Sequence, residues 1–296
     1  MSARIIDGRA IAEGERRSIA ERAKRLREDG IEPALDAVLI DFGDNAARTY
    51  AANQVRKCDE LGIGYRLHEL ESDAPQAEIV ALVRRLGRDE AVTGIMVHMP
   101  LPFGVDADDV KAAIEPSKDV EGVHPSNIGN IVYGRSTLAP CTGLAAMRLI
   151  EETGIELRGK RVVVVGSSVT VGRPLAAMLM QHEATVVSCN KHTWGLEEMA
   201  RSADVLIAAA GVPELVKGDW VRTGAVVIDV GINRVEAPGG GMRTVGDVAF
   251  DAVSKRAGWI SPVPGGVGPV TVSMLLRNVI ACAEAGKRSG SALGSG

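Results

Sequence analysis

Near the C-terminus, Pro262-Val263-Pro264-Gly265-Gly266-Val267-Gly268-Pro269-Val270-Thr271 sets three glycines and three prolines within eight positions. Glycine permits backbone angles that other residues avoid, and proline fixes φ and removes a donor. The run reads as a rigid loop where a ligand approaches main chain, with Pro269 in the first turn of an amphipathic helix. A plain strand-to-helix connector is the other reading. A second candidate is Gly166-x-Ser168-x-x-x-Gly172, which follows the run Arg161-Val162-Val163-Val164-Val165 and opens a helix. Helix N-terminal amides and the positive end of the helix dipole would hold a pyrophosphate there. The spacing departs from G-x-G-x-x-G, so a simple βα turn also accounts for it. The next strand ends at Cys189-Asn190-Lys191-His192, without the acid that binds the ribose 2′-hydroxyl in NAD-selecting folds. Lys191 is either a partner for a 2′-phosphate or a solvated loop lysine. Asp229-Val230-Gly231-Ile232-Asn233 closes a further buried strand at the edge where ligands of open α/β sheets collect. Gly231 would let the chain pass close to a nicotinamide ring.

These loops need strands and helices to carry them. A charged helix is expected from Gly8 to Glu28, a short strand at Ala37–Ile40 and a helix from Ala46 to Leu61. A strand at Ile63–Leu70, a helix at Gln76–Leu86 and a strand at Thr93–His98 follow. Such alternation predicts a parallel sheet covered by helices. Glu115 to Asn130 is rich in Pro, Gly, Asn and charge and reads as an extended loop or linker. From Arg161 a second α/β unit begins, with a helix to about Gln181 and strands at Thr185–Cys189, Val205–Ala209 and Val226–Val230. Its spacing is Rossmann-like.

The bulk numbers suit this picture. A chain of 296 residues accommodates two ordinary domains. Aromatics are only 3 % and net charge is −4 with no long basic run, which argues against a nucleic-acid platform. No Cys-x-x-Cys pair or zinc-spaced cluster occurs, so no metal is expected. No signal peptide and no apolar stretch long enough for a bilayer are read from the sequence, giving a cytoplasmic protein without a membrane partner.

The chain resembles the bifunctional methylenetetrahydrofolate dehydrogenase/methenyltetrahydrofolate cyclohydrolase family. The resemblance rests on Gly43-Asp44-Asn45 with Tyr50, Met99-Pro100-Leu101-Pro102 and Lys118-Asp119-Val120-Glu121-Gly122. It continues through Pro140-Cys141-Thr142, Gly166-Ser167-Ser168 with Val171-Gly172, Val227 to Asn233, Val245-Gly246-Asp247-Val248 and the Pro/Gly loop. It covers about Ile6 to Cys282. Such enzymes oxidise 5,10-methylenetetrahydrofolate with NAD(P)+, then hydrolyse the methenyl product to 10-formyltetrahydrofolate. The family fold implied is two α/β domains flanking a cleft, the second Rossmann-like, in a homodimer. Residues 1–140 with 271–286 would form the folate-binding catalytic domain, 141–270 the NAD(P)-binding domain and 287–296 a flexible tail. The resemblance implies catalytic positions at Tyr50, Gln54, His98 and Glu121. It implies folate contacts from Tyr50, Pro100, Leu101, Glu121, Pro264, Gly265, Gly266, Pro269 and Thr271. Cofactor contacts are implied at Thr142, Gly166, Ser167, Ser168, Val171, Gly172, Arg173, Lys191, Gly211, Gly231 and Ile232.

Departures from the family pattern bear on the chemistry. Gln54 stands where the family places a lysine, His98 replaces a glutamine, and Glu121 replaces an aspartate. Gly143 replaces a proline, Ser167 an arginine, and Asn190-Lys191 a His-Ser pair. The stretch from Gly43 to Tyr50 is one residue short. Hydrolysis of the methenyl product needs proton transfers, which suit a lysine of depressed pKa. Gln54 cannot titrate. His98, with an ordinary pKa of roughly 6.5, either substitutes as base or merely fills space beside Gln54. Hydride transfer needs no protein base, because the ring nitrogens of the folate stabilise the cation. The expectation is therefore a methylenetetrahydrofolate dehydrogenase with a weak or lost cyclohydrolase. Alternatives are a bifunctional enzyme using His98, a paralogue for another folate one-carbon adduct, and a non-catalytic folate- or nucleotide-binding regulator. With Ser167 in place of arginine, Lys191 and Arg173 would serve the 2′-phosphate, favouring NADP with NAD possible.

Overall fold

The computed structural model describes residues 2–43, 45–237 and 239–293, so Asp44 of the Gly43-Asp44-Asn45 motif lies outside the described residues. The elements run β1 (Arg4–Ile5), α1 (Gly8–Glu28), β2 (Ala34–Asp41), α2 (Asn45–Glu60), β3 (Gly64–Glu71), α3 (Gln76–Arg88) and β4 (Gly94–Val97). Next come α4 (Ala107–Ala112), α5 (Pro125–Val132), α6 (Cys141–Glu152), β5 (Arg161–Val165), α7 (Gly172–Gln181) and β6 (Thr185–Cys189). The chain continues with α8 (Leu196–Arg201), β7 (Val205–Ala208), β8 (Val226–Asp229), β9 (Asn233–Glu236) and β10 (Met242–Val245). It ends with α9 (Phe250–Val253), β11 (Trp259–Ile260) and α10 (Val267–Leu293).

Two compact units result. The smaller comprises Glu15–Gly129, Ser136–Leu138 and Leu275–Gly296. Its parallel sheet has the order β3-β2-β4, in register at Ala37 with Leu67 and Met96. The central strand β2 is buried almost throughout, as its continuous apolar pattern requires. Helix α3 buries Ile79, Leu82, Val83 and Leu86, the spacing of a single helical face. Asp36 on β2 is buried and takes a two-pronged bond from Arg66 (2.9 and 2.7 Å) and another contact from His68 (2.8 Å), both on β3.

The larger unit comprises Met1–Gly14, Asn130–Arg135 and Ala139–Met274. Its six-stranded sheet has the order β1-β11-β8-β7-β5-β6, with every pairing parallel. A two-stranded antiparallel ribbon, β9-β10, is separate from it. Strand order reverses around β5, whose neighbours are β6 and β7, so a topological switch point opens at their C-terminal ends. Residues 1–14 fall in this unit because β1 pairs with β11. The boundaries inferred from the family resemblance start the folate domain at residue 1 instead.

Three sequence expectations need correction or comment. Glu115 to Asn130 is not an extended loop: Pro116–Lys118 forms a 3-10 turn and α5 begins at Pro125. Proline is at home at a helix's first position, and the buried Ile131 anchors the helix, so the Pro/Gly/Asn content misleads there. Secondly, Val267–Lys287 of α10 is long and apolar enough to cross a bilayer, with mean hydropathy 1.2. That stretch is 61 % buried, and it serves as a core helix. Finally, α10 is helical to Leu293, past the residue 287 at which a tail is expected, and Lys287 Nζ lies 2.6 Å from Asp29.

Candidate functional site

The polar cluster of the smaller unit is built from a helix face and a strand end. Tyr50 and Gln54 lie four apart on α2, hence on one face. His98 follows β4, fixed by its backbone N–H donating to Val38 O at 2.8 Å. The rings of Tyr50 and His98 meet edge to face, with centroids 5.8 Å apart. Gln54 and His98 are buried, whereas Tyr50 is 46 % exposed. Tyr65, on β3, joins them. Its hydroxyl donates to Gln54 Oε1 at 3.4 Å and sits 3.4 Å from His98 Nε2. Gln54 Nε2 donates to the Met96 thioether at 3.3 Å, a weak acceptor. Burial pushes the His98 pKa down and so favours a neutral imidazole. Burial also raises the Tyr65 hydroxyl, with Cys58 and Tyr50 adding to the rise. Sequence reasoning missed Tyr65, since nothing in its strand distinguishes it from a packing residue.

Glu121 is placed by its neighbours in the chain. Ile95 on β4 bridges Asp119, the Val120 side chain fills the space where Gly94 has no Cβ, and Asn278 Nδ2 donates to Val120 O at 2.8 Å. Asp119 is fully buried and accepts from His124 N (2.7 Å) and Asn127 Nδ2 (2.9 Å), which orders the turn that follows it. Burial, and then the charge of Asp119, push the Glu121 carboxyl up to about 7, against a Val97 backbone bond and Lys111. Pro100 is exposed after His98, while Leu101 packs against the sheet's core.

In the larger unit a pocket of about 640 Å³ opens at the switch point. It is lined by Gly166, Ser167 and Ser168 after β5, Asn190, Lys191 and His192 after β6, and Ala209 and Ala210 after β7. Gly166 has φ +118°, and a Cβ there would lie 2.0 Å from Ala209 O. A Cβ on Gly172 would lie 1.9 Å from Gly166 O, so only glycines close this turn. Ser168 Oγ accepts from Val171 N (3.2 Å) and Gly172 N (3.4 Å), bracing the turn that leads into α7. No carboxylate is among the described lining residues, and Lys191 stands there as an exposed side chain. Arg173 is absent from the lining, and its Nε donates back to Ser167 O at 3.1 Å. Val171, Gly172 and Gly211 shape the neighbouring turns without lining the pocket. Thr142 is half-buried at the start of α6.

A second pocket of the same unit, about 210 Å³, brings Gly231 and Ile232 together with Pro264, Gly265, Gly266 and Pro269. Thr271 lies outside it, bonded to Val267 O within α10 at 3.1 Å. Asp229, at the head of the 229–233 motif, also lines it, as does Arg9, which sequence reasoning missed. A Cβ on Gly8 would lie 1.8 Å from Gly266 O, so the start of α1 packs directly on the Pro/Gly loop. The Asp-Gly-Arg sequence at residues 7–9 was the available signal.

Residues 6–121 match the profile of the tetrahydrofolate dehydrogenase/cyclohydrolase catalytic domain, and residues 140–287 that of its NAD(P)-binding domain. The chain is 46 % identical to the bifunctional protein FolD of Pelobacter propionicus, over 96 % of this chain and 99 % of that one. It is 47 % identical to FolD 2 of Geobacter metallireducens, over 97 % and 98 %. Among solved structures, the bifunctional FolD of Campylobacter jejuni superposes with a TM-score of 0.91 at 39 % identity, covering 96 % and 99 % of the two chains. The Trypanosoma brucei enzyme, solved with NADP cofactor and an inhibitor, gives 0.89 at 37 %, covering 97 % and 99 %.

Proposed function

The chain belongs to the tetrahydrofolate dehydrogenase/cyclohydrolase family, and on that premise we propose that its main reaction is oxidation of 5,10-methylenetetrahydrofolate by hydride transfer to NADP+, with little hydrolysis of the methenyl product. The observation that carries this reading is Gln54, a buried amide held between the Tyr65 hydroxyl and the Met96 thioether. Position 54, where the resemblance puts an ammonium, therefore offers a group that neither gives nor takes a proton.

The turn at 166–172 fits a dinucleotide. Its two glycines bring main chain together where a Cβ would block it, and α7 directs its positive end at the pocket. Lys191 would hold a 2′-phosphate, which no lining carboxylate repels. When bound, NADP+ supplies the hydride acceptor. Tyr50 offers its exposed ring to the folate, and Glu121 accepts from the amino and N–H groups of the pterin. Loss of hydride needs no protein base, because ring nitrogen lone pairs stabilise the cation. Hydrolysis differs: water adds to the methenyl carbon, one of its protons is released to solvent, and the other passes to the ring nitrogen as its bond to that carbon breaks.

A second reading keeps both activities, with neutral His98 accepting the proton from water. It is favoured by the lowered His98 pKa and by relatives named bifunctional. Separate assays distinguish the two. The proposal expects methenyltetrahydrofolate to accumulate, with hydride transfer at least about tenfold faster than enzymatic hydrolysis. Equal rates, with hydrolysis lost and hydride transfer kept in His98→Ala, would establish the second reading. Lys191→Ala should weaken NADP+ about tenfold and leave NAD+ nearly unchanged; equal losses would remove Lys191 from the 2′-phosphate site. We assign the chain to the cytoplasm, where its four free thiols suit a reducing milieu, and to a homodimer that light scattering can test.

A further inference from the structure

Asp229 and Asp247 have no role in the chemistry above, yet both are almost wholly buried, at 3 % and 0 % exposure. Asp229 ends β8. Its Oδ1 accepts from Gly231 N (3.0 Å) and Asp247 N (2.9 Å), and its Oδ2 from Val248 N (3.0 Å). Asp247 follows β10 by two residues. Its Oδ2 accepts from Ala210 N (2.6 Å) and Gly211 N (2.8 Å), and its Oδ1 from Asn233 Nδ2 (2.8 Å).

The two carboxylates are reciprocal. A Cβ at Gly246 would lie 1.8 Å from Asp229 Oδ2, and a Cβ at Gly231 would lie 2.1 Å from Asp247 Oδ1 and 2.6 Å from its backbone nitrogen. Each aspartate thus reaches into the space left by a glycine next to, or two residues from, the other. Glycine at 231 is accounted for by this carboxylate, without any need for a cofactor ring against it. The pair also spans both pockets: Ala210 lines the larger, whereas Asp229 and Gly231 line the smaller. Such buried charges are retained where several donors converge on them, and here six do.

We propose that Asp229 and Asp247 form a clasp that fixes the loop after β7 against the loop after β8, making Asp247 a positioning residue for NADP. A movement of the 231 segment must then displace the amides at 210 and 211, although residue 231 does not line the larger pocket. This inference rests on reading the larger pocket as the NADP site, and its test separates the two.

Amide hydrogen exchange across residues 209–212 reports the clasp without any ligand. Gly231→Ala should speed exchange there about tenfold or more, because the new methyl expels the Asp247 carboxylate. Binding of adenosine 2′,5′-bisphosphate, which lacks the nicotinamide half, reports the pocket by calorimetry. Gly231→Ala and Asp247→Ala should each weaken it about tenfold, and the double variant should lose less than the product of the two. Asp247→Asn keeps an acceptor for the 210 and 211 amides, and Asn233 can rotate its own amide to match. It should fold and bind within about threefold of the parent. Unchanged exchange at 209–212 in Gly231→Ala, or losses that multiply in the double variant, would overturn the clasp. If exchange rises as expected but the parent does not bind the bisphosphate, the clasp stands and the NADP assignment falls.

Discussion

The polar cores of the two units are held on opposite terms. Around Asp229 and Asp247 six donor contacts of 2.6 to 3.0 Å meet two carboxylates, and glycines make room for them. Around Gln54 every group is formally neutral or favoured so, and the contacts are 3.3 to 3.4 Å with a thioether among the acceptors. Charge-assisted bonds of short length fix a geometry, whereas long neutral ones hold side chains that a ligand can rearrange. On the proposed reading, the cofactor side is built for position, and the Gln54 cluster for contact with a folate that brings its own electronics.

The largest expected effect tests that contrast at its weakest point. Gln54→Lys introduces a titratable group beside His98 and should raise methenyl hydrolysis roughly 10²-fold, with hydride transfer little changed. Decay of methenyl absorbance measures it, and an unchanged hydrolytic rate would show that residue 54 is not what limits the step.

Stability gives the next test. Asp229→Ala strands three buried backbone N–H groups and should cost about 3 kcal/mol. Tyr65→Phe removes only two 3.4 Å contacts and should cost less than about 1 kcal/mol. Urea melts of both variants decide the matter, and similar losses would erase the distinction between the units.

The last test is in pH. Burial, with some help from Asp247, pushes Asp229 up to about 7 from its ordinary 3.8, despite three backbone donors. Glu121 is likewise pushed up to about 7, by burial and Asp119. A carboxyl raised on folding binds its proton more tightly in the native state. Its contribution is complete below about pH 4 and is lost as pH rises through about 7. Urea midpoints measured from pH 4 to 8 should therefore fall less steeply in Asp229→Asn and in Glu121→Gln than in the parent. Parallel curves would mean that neither group titrates there.

Much of the scaffold is legible in the chain. The Arg161–Val165 run is β5, the charged pattern from Gly8 to Glu28 is α1, and Gly166 to Gly172 is the turn between β5 and α7. Periodicity and glycine placement are local properties, and local physics suffices for them. Glu115 to Asn130 departs from its expected loop because composition cannot tell a proline that breaks a helix from one that begins it. Ser167 and Lys191 could be nominated for the pocket, but Ala210 and His192 carry no signature that would single them out.

The amino-acid sequence by itself determined the alternation of strands and helices, the glycine turn that would receive a pyrophosphate, and the absence of a titratable side chain at Gln54. Only the tertiary structure decided that Tyr65 meets Gln54 and His98 across strands, and that Asp247 reaches amides 36 and 37 residues away. The reason is physical. A side chain's protonation and partners depend on which donors and how much solvent surround it, and those neighbours are gathered from distant parts of the chain only when the sheets form.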